Sequence, residues 1–327
     1  MYLGVDGGGT KTDFVLLDRV GTIRATYQGG SAFYPETGME ALRVMINAGI
    51  GAVLRAANIT AQHVHYAFFG LPVHGEDERT SELDRVPESS LARERFRCGN
   101  DMVCGWAGSL AGADGINVVA GTGSICYGEY AGRSARCGGW GELFSDEGSA
   151  YWIAREGLAL FSRMSDGRAP KGPLHELVRE RLGARRDIEL TAWISSELNL
   201  QRSGLAALAR LVHQAAERND PQAAQILANA AQELAELVVA THRNLAIPDS
   251  VRVPVSYSGG VFGIGEKVTA PFNQALKSMG DHFELRVPRF APSIGAALYA
   301  AKCCGEPLTV SALERLERQA AARPVED

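Results

Sequence analysis

Short apolar segments alternate with longer amphipathic segments along most of the chain. Runs rich in β-branched and aromatic residues predict strands over 2–6, 13–18, 23–28, 64–69, 116–120, 125–130 and 253–257. Apolar residues at a spacing of three and four predict helices over 38–58, 102–110, 149–162, 205–217 and 222–245. This alternation of strands and helices predicts an α/β fold.

The middle of the chain, about 157–247, has almost exclusively helical patterning. Asp220 followed by Pro221 is typical of a helix start, because a proline at the first helical position loses no hydrogen bond. We interpret this region as a helical layer added to an α/β chain. The residues after 306 are charged and rich in Ala and Arg, which predicts a final helix with a frayed end.

Two glycine-rich turns interrupt the strand pattern. VDGGGT at 5–10 and VAGTGS at 119–124 each follow an apolar run and lead into a second strand-like segment. Glycine lets a backbone approach a ligand closely, and successive free N–H groups form a concave anion site. We therefore interpret the chain as two similar half-folds, each with a phosphate-binding hairpin that faces the other across a cleft. The alternative is a pair of tight hairpins that bind no ligand.

Neither turn matches the two common phosphate motifs. A P-loop requires glycine before its lysine, whereas Lys11 follows Thr10. The dinucleotide fingerprint also fails, because Thr12 replaces its last glycine. The local sequence alone therefore leaves the ligand of these turns open.

The composition limits the classes of function. The 327 residues are 46% hydrophobic and 22% charged, which predicts a globular protein with room for two domains. A net charge of −5 without a dense Lys/Arg run argues against nucleic acid and anionic membranes as main partners. No apolar stretch reaches the roughly 18 residues of a membrane span, and no secretory signal precedes the first strand. We expect a cytoplasmic enzyme with reduced cysteines, since none of the six forms a C-x-x-C pair.

Five motifs occur in an order and spacing that are similar to those of one known family. They are GVDGGGTKT, CGNDM, VVAGTGSIC, CGGWGELFSDEGSAYWI and YSGGVF, and the similarity extends from Gly4 to about Ala297. The chain resembles the sugar-kinase branch of the actin-like ATPases. More narrowly, it resembles the BadF/BadG/BcrA/BcrD ATPase family, which includes N-acetylglucosamine kinase and glucosamine kinase.

The resemblance implies two actin-like ATPase (ribonuclease H-like) domains, each with a mixed five-stranded sheet, hinged around a nucleotide cleft. We place the N-terminal domain at 1–113 and the C-terminal domain at 114–327, with the helical layer inserted in the second domain and the last helix packed back on the first. The resemblance also implies ATP as cosubstrate and Mg²⁺ as metal. The implied reaction is phosphoryl transfer to a hydroxyl of an amino sugar or related hexose, often by a homodimer.

The ATP-binding residues follow from the phosphate and adenosine motifs of the family. The matching positions are Gly7, Gly8, Gly9, Thr10, Lys11, Gly121, Thr122, Gly123, Ser124, Gly259 and Gly260. Phosphoryl transfer depends on positioning and charge neutralisation more than on covalent chemistry, which suits backbone donors in glycine-rich turns. Lys11 would neutralise phosphate charge; the alternative is a solvated surface lysine.

Two aspartates match the acidic positions of the family. Asp6 ends the first strand, where a carboxylate suits Mg²⁺ held through water, and an Asx-turn residue is the alternative. Asp101 matches the catalytic aspartate, which would accept the proton of the sugar hydroxyl as a general base. A helix N-cap is the alternative for Asp101, because Asp is favoured at that position.

The sugar side matches the family in the segment GGWGELFSDEG. Gly139 would allow close backbone approach, and Trp140 would form an apolar wall. Asp146 matches a residue that bonds sugar hydroxyls, with a helix cap as the alternative. Glu147 is either a second polar contact or an acid in the first turn of a helix, where the helix dipole favours it.

The segment GGSAFYPETG departs from the family. Phe33 or Tyr34 stands where N-acetylglucosamine kinases have an asparagine that contacts the sugar. An aromatic ring cannot make the paired donor and acceptor contacts of an amide, although it would suit an apolar sugar face. The identity of the acceptor therefore stays open between N-acetylglucosamine, glucosamine, a neutral hexose and another modified sugar.

Two other functions stay open as alternatives to the kinase. An ATPase that activates a dehydratase or CoA reductase would hold an iron–sulfur cluster through cysteines near the second phosphate motif, where Cys126 and Cys137 occur. The GGWG motif beside Cys137 favours the kinase instead. A sugar sensor without turnover is the third possibility, and the presence of Asp6 and Asp101 argues against it.

Overall fold

The computed structural model describes residues 1–183, 185–197 and 201–321. The chain divides into two compact units. The first unit contains Met1–Asp114 and Val287–Asp327, and the second contains Gly115–Arg286. The sequence analysis places 114–327 in the second domain with only its last helix packed on the first, whereas the structure groups 287–321 with the first unit.

Two glycines allow the segment that begins at Val287 to pack within the first unit. A Cβ atom at Gly4 would overlap the backbone of Ala297, and one at Gly295 would overlap the backbone of Cys104 and Gly108. Without these side chains, the backbone of the helix that contains Gly295 packs directly on the first strand and on the helix that contains Cys104.

The described residues contain ten strands. They are β1 (Tyr2–Gly7), β2 (Thr12–Leu17), β3 (Ile23–Gly29), β4 (Tyr66–Leu71), β5 (Phe96–Asn100), β6 (Gly115–Ala120), β7 (Ser124–Tyr130), β8 (Arg133–Gly138), β9 (Val253–Ser258) and β10 (Phe283–Leu285). The α-helices of the same residues are α1 (Tyr34–Thr37), α2 (Met39–Ala56), α3 (Thr80–Leu83), α4 (Met102–Leu110), α5 (Ala150–Ser165), α6 (Pro173–Leu182), α7 (Leu190–Glu197), α8 (Arg202–Ala206), α9 (Ala209–Glu217), α10 (Pro221–Asn244), α11 (Glu266–Met279), α12 (Pro292–Cys303) and α13 (Val310–Ala321).

The first unit is built on a mixed sheet with the strand order β3-β2-β1-β4-β5. β2 is antiparallel to both of its neighbours, whereas β1, β4 and β5 are parallel. Alternating residues of β2 explain the packing on the two faces: Phe14 joins the core against α2, and Val15 joins a second cluster with Ile294 of α12. The carboxyl ends of the three parallel strands therefore lie along one edge of the sheet.

The second unit repeats this arrangement with the order β10-β9-β6-β7-β8. β7 is antiparallel to β6 and β8, and β9 lies parallel between β6 and β10. The predicted pair of mixed five-stranded sheets is thus confirmed. Helices α5 to α10 form the helical layer, and Asp220 starts α10 by accepting the N–H groups of Gln222 and Ala223 at 3.0 and 3.2 Å. Among the helices of the described residues, none combines the length and apolar character needed to cross a membrane.

Candidate functional site

Two acidic residues lie at the carboxyl ends of parallel strands in the first unit. Asp6 of β1 pairs with Gly70 of β4, and Gly70 pairs with Gly99 of β5. Asp101 follows directly after β5. A Cβ atom at Gly70 would overlap Sγ of Cys104 and lie 3.1 Å from Cα of Asp101. The missing side chain at Gly70 therefore lets the start of α4, with Asp101, pack against the strand end that carries Asp6.

The carboxyl of Asp6 is electrostatically unusual. Burial, together with the negative charges of Asp101 and Asp13, raises its pKa from 3.8 to about 7. A hydrogen bond with Cys104 and the positive charge of Lys11 act in the opposite direction. An excess of carboxylate charge at one sheet edge favours a divalent cation with oxygen ligands, such as Mg²⁺.

Asp101 occupies the N-cap position of α4, but its side chain makes no capping hydrogen bond. The neighbouring Asn100 performs this role, since its Oδ1 accepts the N–H of Met102 at 3.1 Å. Nδ2 of Asn100 donates to the backbone oxygen of His74 at 3.2 Å and to Oε1 of Glu76 at 3.0 Å. Asn100 therefore fixes both the start of α4 and the loop after β4, and the N-cap alternative does not account for the Asp101 side chain.

The first glycine-rich turn joins β1 to β2. A Cβ atom at Gly7 would lie 2.8 Å from the backbone oxygen of Gly70, and one at Gly8 would lie 2.9 Å from that of Lys11. The N–H of Gly8 donates to the same oxygen of Lys11 at 2.9 Å. Gly9 has no neighbouring atom within 4 Å of its missing side chain. Packing thus requires the first two glycines, whereas Gly9 leaves open space over the turn.

The two polar residues of this turn are exposed. Thr10 and Lys11 both face solvent, and Nζ of Lys11 lies 3.8 Å from Oδ2 of Asp13. An exposed ion pair of this length holds a lysine weakly, so Lys11 can turn toward an anion.

The side chains of Phe33 and Tyr34 have two different environments. Phe33 is half-buried, and its N–H donates to Oγ of Ser31 at 3.1 Å. Tyr34 is buried, its hydroxyl donates to Oδ2 of Asp77, and the guanidinium of Arg79 lies over its ring at 5.3 Å. Tyr34 thus links the segment after β3 to the loop after β4, and Phe33 is the more accessible of the two rings.

The second glycine-rich turn joins β6 to β7 and is anchored on α5. The N–H of Gly121 donates to the oxygen of Gly123 at 2.9 Å. The oxygens of Gly121 and Thr122 accept the N–H groups of Ala150 and Tyr151, at 2.9 and 3.3 Å. The N-terminus of α5 therefore fixes the conformation of the turn.

A third glycine pair follows β9 and meets the second turn. Gly259 has a φ of +94°, and a Cβ atom there would overlap the oxygen of Ala120 at the end of β6. The same oxygen accepts the N–H of Val261 at 2.9 Å. Gly260 has no neighbouring atom within 4 Å of its missing side chain. The structure therefore brings the predicted phosphate and adenosine glycines of the second unit together.

Asp146 lies against the second turn as part of an ion pair. Its side chain is 2% exposed, its φ is +58°, and its Oδ2 pairs with the guanidinium of Arg202. A Cβ atom at Gly123 would lie 2.7 Å from the same oxygen. Burial raises the pKa of Asp146, and the charge of Arg202 opposes that shift. Nε of Arg202 also lies 3.3 Å from Oε2 of Glu142, so one cation holds two carboxylates beside the turn.

Glu147 also contacts the second turn, through its backbone. Its carbonyl oxygen accepts the hydroxyl of Ser124 at 2.7 Å, and its Oε2 accepts the hydroxyl of Ser145 at 3.1 Å. Oγ of Ser149 accepts the N–H of Trp152 at 3.1 Å and caps α5. The alternative helix-cap role of Asp146 is therefore filled by Ser149.

The residues Gly139 and Trp140 form a loop whose apolar side chains are exposed. Gly139 has a φ of +70°, and its oxygen accepts Nη2 of Arg136 at 2.7 Å. Trp140 is 76% exposed and is followed by Leu143 and Phe144 at 85% and 73%. Trp140 therefore forms no wall of a cavity inside the second unit.

A cavity of about 400 Å³ opens beside the glycine turns of the second unit. Its lining comes from the two glycine turns, the start of α5, the α8–α9 segment and the residues after β9: Gly121, Thr122, Ala150, Ser203, Ala206, Ala207, Ala209, Arg210, His213, Gly260, Val261 and Ile264. Nδ1 of His213 is buried and has no hydrogen-bond partner among the residues that the structure describes. Apolar walls with a few polar groups at this volume suit a nucleoside.

The sequence analysis missed the helical contributions to this region. Arg202, Ala207 and His213 come from a segment with no motif, and their only signal is a group of small residues followed by polar ones at helical spacing. That pattern is also typical of ordinary helix packing. Asn100 lies beside Asp101 in the GNDM motif. The sequence alone does not show that Asn100, rather than Asp101, caps α4.

The two cysteines of the activator alternative are cross-strand neighbours in β7 and β8. Cys126 is fully buried in the core of the second unit, and burial raises the pKa of its thiol. Sγ of Cys137 accepts Nδ2 of Asn244 at 3.2 Å. A thiol in apolar surroundings is a poor thiolate ligand, so this pair does not suit a cluster shared with a second subunit.

Known kinases are similar to this chain over most of its length. An N-acetyl-D-glucosamine kinase of Dictyostelium discoideum is 27% identical over 313 residues, which cover 92% of this chain and 97% of that protein. An N-acetylmuramic acid/N-acetylglucosamine kinase of Clostridium acetobutylicum is 29% identical over 79% of this chain and 84% of its own length.

Solved structures show the same fold. The candidate N-acetylglucosamine kinase of Chromobacterium violaceum is 28% identical, with a TM-score of 0.70 over 90% of this chain and 97% of that one. A ROK family glucokinase of Streptomyces griseus, solved with glucose and AMPPNP, is 16% identical with a TM-score of 0.53 over 92% and 99% of the two chains.

The family comparison covers nearly all of the sequence. A profile of the BadF/BadG/BcrA/BcrD ATPase family matches residues 3–300, which include both sheets and all of the glycine-rich turns described above. The two units accordingly have the actin-like ATPase architecture, and the chain belongs to the BadF/BadG/BcrA/BcrD ATPase family.

Proposed function

We propose that this chain is an ATP-dependent sugar kinase that transfers the γ-phosphate of ATP to a hydroxyl of an amino sugar, with N-acetylglucosamine as the first candidate. The observation that carries the proposal is the pair of Asp6 and Asp101 at one sheet edge, with Asn100 rather than Asp101 capping α4. The names of the similar kinases support the acceptor class.

Asp101 is the general base of the proposed reaction. Its carboxylate accepts the proton of the attacking sugar hydroxyl, which contributes about 10²–10⁴ in rate in enzymes of known mechanism. Packing of α4 against Gly70 and the cap from Asn100 hold the backbone of Asp101 in place. A base fixed in this way loses little free energy to reorganisation during the reaction.

The residues of the first unit fit Mg²⁺. Asp6 offers a carboxylate at the end of β1, next to the start of α4 with Asp101, and Mg²⁺ prefers oxygen ligands and retained water. We assign Asp6 to Mg²⁺, held through water. When bound, Mg²⁺ supplies neutralisation of the phosphate charge during transfer.

The glycine turns fit a nucleotide. We assign phosphate contacts to Gly7, Gly8, Gly9, Thr10 and Lys11 in the first unit, and to Gly121, Thr122, Gly123 and Ser124 in the second. The adenosine lies in the 400 Å³ cavity beside Gly259 and Gly260. The open space over Gly9 and over Gly260 supports close approach of a ligand to the backbone.

The sugar contacts are assigned to six residues. Phe33, Tyr34, Gly139, Trp140, Asp146 and Glu147 are the proposed set. Phe33 is the better stacking ring, because Arg79 already covers Tyr34. The ion pair with Arg202 orients the carboxyl group of Asp146, which suits an acceptor for a sugar hydroxyl.

We further propose a cytoplasmic homodimer. The acidic net charge of −5 supports neither a nucleic acid nor a membrane as an additional partner. Light scattering of the purified chain measures the assembly: twice the chain mass of 35.0 kDa supports the dimer, and the single mass contradicts it.

The test of the function is a sugar panel. The purified chain is incubated with ATP, Mg²⁺ and N-acetylglucosamine, glucosamine, N-acetylmuramic acid, glucose or mannose, and ADP release is followed by a coupled assay. We expect turnover that depends on an amino sugar and is greatest with N-acetylglucosamine. ADP release at one rate with and without every sugar would contradict the proposal.

A further inference from the structure

Two imidazoles and one carboxylate lie together in the second unit, away from its glycine turns. His242 belongs to the last turn of α10, Asp249 to the segment between α10 and β9, and His282 precedes β10. One ligand atom of each side chain lies within 4.8 Å of those of the other two. The oxygen of His282 accepts the N–H of Val253 at 2.8 Å, so the group lies at the amino end of β9, whereas Gly259 follows its carboxyl end.

The imidazoles carry buried nitrogens without partners. Nε2 of His242 and Nε2 of His282 make no hydrogen bond with any residue that the structure describes. The residue His242 is 4% exposed. Buried polar atoms almost always have a partner, so two such nitrogens beside one carboxylate indicate a ligand that the chain alone does not supply.

Backbone hydrogen bonds to His242 and His282 fix both ends of the segment that carries Asp249. The oxygen of His242 accepts the N–H of Ile247 at 3.4 Å at the start of the segment that carries Asp249. The bond from Val253 to the oxygen of His282 fixes the end of the same segment. The residue between these two anchors, Asp249, is exposed, so its carboxylate can rotate toward the imidazoles.

A second group of metal-compatible side chains is less suitable. His65, Cys304 and Glu306 lie together in the first unit. The carboxylate of Glu306 already accepts the hydroxyl of Tyr2 at 2.7 Å and pairs with Arg19 at 2.7 Å. A ligand oxygen that satisfies two other groups binds a metal ion only by breaking those contacts.

We propose that His242, Asp249 and His282 bind one divalent transition-metal ion, with Zn²⁺ as the preferred ion. Two imidazoles and a carboxylate are a ligand set that Zn²⁺ favours, and they leave a fourth position for water. Mg²⁺ is a poor fit, because it requires oxygen ligands. The ion joins the end of α10 to the amino ends of β9 and β10 and so stabilises the second unit. The site does not depend on the kinase function.

Calorimetric titration of the full chain with Zn²⁺ tests the site after removal of bound metal with a chelator. Asp249→Asn and His282→Gln remove one ligand each and change residues that are exposed or half-exposed, which favours folding of both variants. Glu180→Gln is the matched control, since it makes the same carboxylate-to-amide change on the exposed surface of α6. Circular dichroism verifies that each variant is folded. Cys304→Ser is measured in parallel to test whether Zn²⁺ binds at the second group, His65, Cys304 and Glu306, instead.

The proposal predicts one Zn²⁺ per chain, bound at least about 10-fold more weakly by Asp249→Asn and by His282→Gln, with no change for Glu180→Gln or Cys304→Ser. Co²⁺ should give a visible absorption band in the wild type that both ligand variants lose. The thermal midpoint should rise with Zn²⁺ only where the site is intact. Absence of Zn²⁺ binding by the wild type, wild-type affinity in both ligand variants, or loss of binding in Cys304→Ser would each overturn the proposal.

Discussion

Asp6 and Asp101 lie at the same edge of the first sheet, where burial and the negative charge of Asp101 raise the pKa of Asp6 to about 7. Two carboxylates at one edge destabilise the fold unless a cation compensates them. The chain nevertheless packs α4 against a glycine so that Asp101 approaches this edge. Retention of an unfavourable pair is expected where the charges serve a reaction.

The first prediction concerns Asp101. Asp101→Asn should lower kcat by at least about 10², because the amide cannot accept a proton. The KM for ATP should change little, since the glycine turns bind the nucleotide. Steady-state kinetics with N-acetylglucosamine measure both values. Glu94→Gln, an exposed carboxylate-to-amide change in the same unit, is the control and should retain wild-type kcat.

Asp6→Asn should stabilise the chain in a pH-dependent way. The pKa of Asp6 in the folded chain is about 7, against an ordinary value of 3.8, so the folded chain holds this proton more tightly than the unfolded chain. The wild type therefore loses stability as the pH rises toward 7, and the non-titrating asparagine does not. Between pH 5 and 7 the advantage of the variant should grow by roughly 2–3 kcal/mol.

Urea unfolding at both pH values, in a buffer with a chelator, measures this advantage. Glu94→Gln should show no growth between the two pH values, because its side chain is exposed. An advantage of Asp6→Asn that is the same at pH 5 and pH 7 would mean that the pKa of Asp6 is not raised.

Gly70→Ala should impair catalysis by moving Asp101. The new Cβ atom would overlap Sγ of Cys104 and push the start of α4 away from the sheet edge. Overpacking of this kind costs about 1–3 kcal/mol of unfolding free energy, and a small displacement of a catalytic group lowers kcat by about 10-fold or more. Gly30→Ala is the control, because no atom lies within 4 Å of its missing side chain. A wild-type kcat in Gly70→Ala would contradict a catalytic role for Asp101.

Ala207→Leu tests the nucleotide cavity. Ala207 is exposed at the cavity wall, so a leucine there fills part of the 400 Å³ without disturbing the core. The KM for ATP should rise at least about 5-fold, with kcat and the KM for the sugar nearly unchanged, because only nucleotide binding is affected. Ala224→Leu, on an exposed position of α10, should have no effect. A higher sugar KM with unchanged ATP KM would assign the cavity to the acceptor.

Much of the fold follows from the chain pattern, and the exceptions have physical reasons. The strands β1, β2 and β6 are buried on both faces and read as apolar runs, and their positions were predicted within a residue or two. β8 was missed because it is a half-exposed edge strand with the sequence RSARCG. α11 was missed because Pro271 lies inside it, and a proline normally argues against a helix interior.

The sequence likewise predicts some features of the candidate site and not others. Glycine-rich turns and the aspartates beside them are visible in sequence, because few residues satisfy their backbone and charge requirements. The ion pair of Asp146 with Arg202 was not visible, since 56 positions separate the two residues and no motif contains the arginine. The cavity wall from the α8–α9 segment was hidden for the same reason: Ala206, Ala207 and Ala209 match any packed helix, and no motif contains Ser203, Arg210 or His213.

The central claim is that the chain makes a sugar phosphate with Asp101 as base. Phosphorus-31 NMR of the wild type with ATP, Mg²⁺ and N-acetylglucosamine tests it directly, because the spectrum separates a sugar phosphate from inorganic phosphate. We predict a sugar phosphate resonance that grows in step with ADP and is at least about 10² slower to appear in Asp101→Asn. Inorganic phosphate as the only product, or equal rates in the wild type and the variant, would contradict the account.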